Sequence, residues 1–291
     1  MGVLQAAAMD CIAFQGFLGA YSDLACRSVF PGMATLPCAS FEDTFAAVAE
    51  GRTRFAMIPV DNSVAGRVAD IHHLLPHGGL FIVGEHFQRV NHQLLSLPEA
   101  ELADLQVVGS HVHALSQCRN VIHQLNLRLS VHADTAGAAK ELAETGERSH
   151  GVIASALAAE IYGLKVLLSD IEDAEHNTTR FLIMAGKPLN LPPSEAPMVT
   201  SLIFRVRNIP AALYKALGGF ATNGVNLTKL ESYLVGGGFT AAQFYADIDG
   251  HPEQRPVRLA LEELHFFAEE VEYLGTYPAD PFRLQNQPRS S

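Results

Sequence analysis

His176-Asn177-Thr178-Thr179-Arg180-Phe181-Leu182-Ile183-Met184 ends as a buried strand ends, with apolar side chains. It begins quite differently. Asn177 to Arg180 bring an amide, two hydroxyls and a guanidinium, with neither Gly nor Pro to mark a turn. Buried without partners, such groups are costly. The order makes sense where the chain returns between two lobes: the polar end lines a cleft, and the apolar end anchors a sheet.

Upstream, short apolar runs alternate with helical patterns. "CIAFQG" precedes "AYSDLACRSVF", "LQVVGS" precedes "LSQCRNVIHQLN", "LRLSVHA" precedes "TAGAAKELAETG", and "HGVIAS" precedes "ALAAEIYGL". Strand-then-helix repetition predicts an α/β fold with parallel sheets covered by helices. "QRVNHQLLSLP" (88–98) reads as an extended crossover. The expected division is a domain over 11–186, with lobe one at about 11–90 plus 177–186 and lobe two at about 91–176. A cleft at the carboxyl ends of the strands is then the default ligand site.

Downstream, "GKPLNLPPSEAPMV" holds four prolines and cannot continue a helix or a central strand. Residues 187–199 are therefore expected to be a linker. Beyond it, 200–278 carries a βαββαβ rhythm, with an amphipathic helix over 257–270 that puts Val257, Leu261, Leu264 and Ala268 on one stripe. Residues 279–291 read as a frayed tail.

Composition narrows the function. A formal net charge of −11 over 291 residues argues against a nucleic-acid partner, which wants a basic face, and against an acidic membrane surface. Four scattered cysteines with no CxxC pair fit reduced thiols better than a disulfide framework. The start shows no basic n-region or long apolar core, and no apolar run reaches a membrane span of about 20 residues. A cytoplasmic location is expected. The 13 histidines show neither HExxH nor Cys/His ligand spacing, so no metal is expected. Neither GxGxxG nor GKS/GKT occurs, so no nucleotide cofactor is expected. No GxSxG occurs either, and Cys118 falls inside a helical pattern.

What remains is neutral and polar, and it sits at strand ends. Asp61, Asn62 and Ser63 follow one apolar run; Ser110 follows another, with Gln117 a turn or two later; Thr178, Thr179 and Arg180 form the third group. Each group alone is an ordinary cap or turn. Together they describe a cleft rich in hydrogen-bond donors, with one fixed cation, suited to a small anion.

The stretches "GAYSDLA", "IPVDNSVAGRVADIHHLL", "GSHVHALSQC" and "NTTRF" resemble prephenate dehydratase in order and spacing. "NIPAALYKALGGFATNGVNLTKLESYL" is similar to the ACT domain that follows it in phenylalanine-regulated members. The resemblance covers residues 11 to about 278. It implies a two-lobed, type II periplasmic-binding-protein-like catalytic domain followed by a ferredoxin-like ACT domain. It also implies conversion of prephenate to phenylpyruvate without a cofactor, feedback by L-phenylalanine, and a homo-dimer or homo-tetramer. By the resemblance Thr179 is the catalytic residue. Ala20, Tyr21, Ser22, Asn62, Ser63, Ser110, Gln117, Thr178, Arg180 and Phe181 would bind substrate, with Asp61 or His176 as a possible relay. Ala211, Ala212, Leu213, Asn226, Leu227, Glu231 and Ser232 would bind the effector. The sequence departs from the family at Asp61, where Glu is usual, at Phe17-Leu18, at Ala211, where Gly is usual, and at Tyr233-Leu234. Arogenate dehydratase and a non-catalytic small-anion sensor of the same fold are the rival readings.

Overall fold

The computed structural model describes residues 10–68, 71, 74–76, 78–174, 176–207, 209–234 and 241–285. Two compact units divide the chain: one takes in the chain to Ile71 and His86–Leu182, the other His72–Glu85 and Ile183 onward. His72 and His73, and the GGG turn at 236–238, lie outside the described residues.

The first unit begins with β1 (Cys11–Gln15), α1 (Tyr21–Val29), β2 (Ala34–Cys38), α2 (Phe41–Ala49), β3 (Phe55–Asn62) and β4 (Gly66–Arg67), and the next strand, β5 (Phe81–Arg89), belongs to the second unit as far as Glu85. Ile12, Ala13 and Phe14 of β1 are fully buried, and β1 runs parallel to β2 and β3. A second set follows: β6 (Gln93–Ser96), β7 (Val107–His111), α3 (Val112–Gln117), α4 (Arg119–Gln124), β8 (Arg128–His132), α5 (Thr135–Thr145), β9 (His150–Ala154), α6 (Ala156–Tyr162) and β10 (Lys165–Leu168). Then comes β11 (Thr178–Ala185). Among the described residues the sheet orders are β2-β1-β3-β11-β5, with β4 on β3, and β10-β6-β9-β7-β8.

Local chemistry starts and stops the helices. The Ser40 hydroxyl accepts the Asp43 N–H, the Asp134 carboxylate accepts the Gly137 N–H at 2.7 Å, and the Ser155 hydroxyl accepts the Ala158 N–H. Gly146, at φ 69°, ends α5 in the left-handed region open to glycine. "LSQCRNVIHQLN" reads as one helical pattern but folds as two helices. The chain breaks at Cys118 because the Asp173 carboxylate takes the N–H groups of Arg119 and Asn120, at 2.9 and 3.2 Å, and so starts α4 afresh. The expected 88–98 crossover divides between the end of β5 and the start of β6.

The second unit carries β12 (Met198–Val206), α7 (Ala212–Thr222), β13 (Leu227–Leu234), β14 (Ala241–Asp249), α8 (Arg255–Phe267), β15 (Ala268–Pro278) and α9 (Pro281–Gln285). Its sheet order is β13-β14-β12-β15, antiparallel throughout, which gives the βαββαβ plan. Leu202, Phe204, Phe244 and Ile248 form one core with Phe220 of α7 and Leu261 of α8. Helix α8 ends at Phe267, short of residue 270, because Ala268 turns into extended backbone. Ala211 opens α7 at φ 61°, a strained conformation for a residue with a Cβ. Part of the stretch read as a frayed tail forms α9, whose Arg283 meets both carboxylate oxygens of the fully buried Glu85 side chain. Among the described residues no helix is long and apolar enough to cross a membrane.

Candidate active site

Strand β11 and the end of β3 bring the quoted polar stretch to Asn62. The Asn62 carbonyl oxygen Oδ1 accepts the backbone N–H groups of Val64 and Ala65, at 3.0 and 2.7 Å. That fixes which end of the amide is the donor. Nδ2 of Asn62 donates to Asn177 Oδ1 at 2.8 Å and to Thr179 Oγ1 at 3.0 Å.

The orientation then propagates. Asn177 Nδ2 donates to Gln117 Oε1 at 3.0 Å, so the Gln117 oxygen faces His92 Nε2 at 2.9 Å. An oxygen cannot donate, so His92 Nε2 carries the proton. Burial holds the His92 pKa below its ordinary value, which favours the neutral ring. Nδ1 of the neutral ring is then an acceptor, 2.8 Å from the Tyr21 hydroxyl, which also has the Asn91 carbonyl oxygen at 2.9 Å. Burial pushes the Tyr21 phenol well above its usual range, so it remains a donor. The bonds therefore converge on the Gln117 oxygen, to which Asn177 donates from one side and His92 from the other.

Thr179 is 9% exposed. Its oxygen accepts from Asn62, so its own proton is left to point to another acceptor. Gln117, using Oε1 twice, keeps its NH₂ for the cavity of about 300 Å³ that it lines with Asn177, Val64, His113, Glu172 and Asp173. Two carboxylates at this cavity depart from a carboxylate-poor cleft, but both are engaged. Glu172 accepts the His92 N–H at 2.8 Å, and Asp173 caps α4.

The remaining expected residues spread out. The Ser63 hydroxyl donates to the His176 carbonyl oxygen and accepts the Thr178 N–H, tying β3 to β11. Arg180, 7% exposed at its side chain, faces Asp61 at 3.8 Å, so the fixed cation has a carboxylate beside it. Ser110 is fully buried and donates to the Ile153 carbonyl oxygen at 2.6 Å. Phe181 is core. His176 is exposed, and its carbonyl serves Ser63. Ala20 precedes α1 and is buried, with Ser22 half-buried in the first turn.

The "GAYS" turn fastens the two lobes of the first unit. Ser155 donates to the Gly19 carbonyl oxygen, Tyr162 donates to that of Leu18 at 2.9 Å, and Gly19 N–H donates to Asp23 at 2.8 Å. A methyl at Gly19 would fall 2.7 Å from the Ala158 Cα, and its φ of +86° excludes most other residues. Nearby, burial raises the Asp134 carboxyl and lowers His111, which also has His113 as a neighbour.

Among the effector candidates, Ala212 is buried, and Leu213 and Leu227 pack against the second unit's core. Asn226 donates to Asp249, Glu231 pairs with Lys229, and Ser232 and Ala211 are exposed. The sequence reading missed His92 and, having put Asn177 at the polar end that lines the cleft, missed its part in this network. That part was findable, because Asn177 lies two residues before Thr179 and so shares its side of an extended chain. His92 carried only a weak signal, a single His between Asn and Gln ahead of an apolar run.

Residues 12–188 match the family described as prephenate dehydratase. The chain is 56% identical over 272 residues to a bifunctional N-acyl-homoserine lactone acylase/prephenate dehydratase of Komagataeibacter europaeus, covering 94% of this chain and 97% of that one. It is 37% identical over 286 residues to the chloroplastic arogenate dehydratase/prephenate dehydratase 1 of Arabidopsis thaliana, covering 94% and 73%. The fold matches the crystal structure of the Arthrobacter aurescens prephenate dehydratase in complex with L-Phe, with a TM-score of 0.85, 29% identity, and 96% and 92% of the two chains covered. With residues 12–188 matched and relatives aligned along nearly its whole length, the chain belongs to the prephenate dehydratase family of hydro-lyases.

Proposed function

We propose that this chain converts prephenate to phenylpyruvate, with Thr179 at the reacting centre. The observation that carries the reading is the Asn62-to-Thr179 bond, because it occupies the threonine oxygen as an acceptor and leaves its proton for a bound group. Prephenate loses carbon dioxide and its ring hydroxyl as the ring becomes aromatic, so neither an electron sink nor a metal is needed. The demand on the protein is to ease the hydroxyl out as charge gathers on it. One well-placed donor typically contributes about 10²–10³ in rate. The departing carboxylate is best left ungripped, because holding it would favour the ground state. Arg180, beside Asp61, is suited to orienting the strand rather than to gripping that group.

The test is turnover of prephenate by the purified protein, with Thr179→Ser keeping most of kcat and Thr179→Ala and Thr179→Val losing it. Equal activity in all of them refutes the role. Paired kcat/KM values on prephenate and arogenate decide the substrate, since the Arabidopsis relative bears both names.

The second unit is the ACT domain of this reading. It binds L-phenylalanine near Ala211–Leu213 and Asn226–Ser232 across a pair of chains and shifts the enzyme to a less active state. The L-Phe complex of the Arthrobacter aurescens enzyme supports this. Phenylalanine at millimolar levels should lower activity; a flat response refutes it.

A second activity, cleavage of the acyl–nitrogen bond of N-acyl-homoserine lactones, is favoured by the 56% identity to the Komagataeibacter europaeus protein that bears that name. Release of free homoserine lactone from an N-octanoyl substrate tests it, and no release refutes it.

A further inference from the structure

The second lobe holds another cavity, of about 530 Å³, between strands β7, β8 and β9 and helix α5. The dehydratase reading makes no use of it. Ser130 and His132 are alternate residues of β8 and so point to one face, and both line the cavity with Glu141 of α5. Ser130 Oγ stands 3.1 Å from His132 Nε2, and His132 Nδ1 stands 3.1 Å from Glu141 Oε2.

A carboxylate can only accept, so the proton of the neutral ring belongs on Nδ1. Nε2 is then a free acceptor aimed at the serine hydroxyl. The order is alcohol, imidazole, carboxylate, with the base oriented by the acid, which is the arrangement that activates a serine. Gly109 leaves room for the ring, since a methyl there would stand 2.8 Å from His132 Nε2. Val107, Leu142 and Val152 make the rest of the wall partly apolar, and the volume lies within the range of small-molecule sites.

We propose that Ser130, His132 and Glu141 form a second catalytic centre that hydrolyses amides or esters with an apolar acyl chain. This rests on the second activity proposed above and gives it a location separate from Thr179. Ser130 Oγ bonds to the acyl carbon as its proton passes to His132 Nε2. The adduct collapses, the carbon–nitrogen or carbon–oxygen bond breaks, and the leaving amine or alcohol takes that proton. Water then adds to the acyl-serine, giving up a proton to His132. Collapse releases the carboxylic acid and returns the proton to Ser130. Glu141 holds the ring and offsets its transient charge.

The test uses the full-length protein with p-nitrophenyl butyrate and the N-octanoyl substrate, and prephenate turnover as the check on folding. Ser130→Ala, His132→Gln and Glu141→Gln should each lower acyl hydrolysis at least about 100-fold, with prephenate turnover unchanged. A fluorophosphonate probe on the unaltered protein should label Ser130, read by peptide mass. Hydrolysis that survives Ser130→Ala, or a label on a different residue, overturns the site while the activity stands. Hydrolysis of neither substrate by the unaltered protein overturns both.

Discussion

The side-chain amide of Asn62 donates to the hydroxyl of Thr179 at 3.0 Å, and the same amide is held by the Val64 and Ala65 backbone. The threonine hydroxyl is thus held by a residue that is itself fixed by the turn following β3. Thr179→Ala should lower kcat on prephenate by about 10²–10³, and Asn62→Ala by about 10–100. Because the two act as a unit, the double variant should be no slower than Thr179→Ala alone. Phenylpyruvate formation measures all three, and multiplied losses would show that the residues act independently.

His92 should make stability depend on pH. Burial sets its folded pKa below the ordinary value of 6.5, so between the two values the unfolded chain holds more protons and stability rises with pH. The contribution is complete above about 6.5 and is lost as pH falls through the depressed value. Between pH 7.5 and 5.5, the urea midpoint of the unaltered protein should fall more than that of His92→Gln. Parallel slopes would remove His92 from the account.

Gly19→Ala meets both a left-handed backbone and the Ala158 Cα. Strain and crowding together should cost about 2–4 kcal/mol, read as a lower denaturation midpoint. Gly66→Ala is the control: it has a similar φ of +84° but nothing within 4 Å, so it should lose only about 1 kcal/mol. Equal losses would show that contact with Ala158 is immaterial.

Glu85, sealed at its side chain, depends on Arg283. Removing only the cation, in Arg283→Met, should cost about 3–5 kcal/mol. Adding Glu85→Gln should restore part of the loss, because an amide is cheaper to bury than a carboxylate that has lost its guanidinium. A second substitution that makes matters worse would contradict this.

The alternation of strands and helices was legible along the sequence because apolar periodicity is written locally. The βαββαβ plan after the prolines was legible for the same reason. Cys118 was not, since the break there comes from Asp173, more than fifty residues away. At the candidate site, Thr179 and Asn62 stood out as polar residues at strand ends. Ser110 looked alike in sequence but turns its hydroxyl to Ile153, and only pairing between strands decides that. The value of Arg283 was hidden because its partner, Glu85, lies on β5.

The bond from His92 to the Gln117 oxygen has a spectroscopic consequence. Its Nε2–H is held by the Gln117 oxygen in a ring almost wholly shielded from water, so its exchange with solvent should be slow. Such a proton gives a resolved signal far downfield in an ordinary one-dimensional proton NMR spectrum. The protein therefore carries an unlabelled reporter three hydrogen bonds from Asn62, and a ligand that displaces the Gln117 amide will move that line before any product appears.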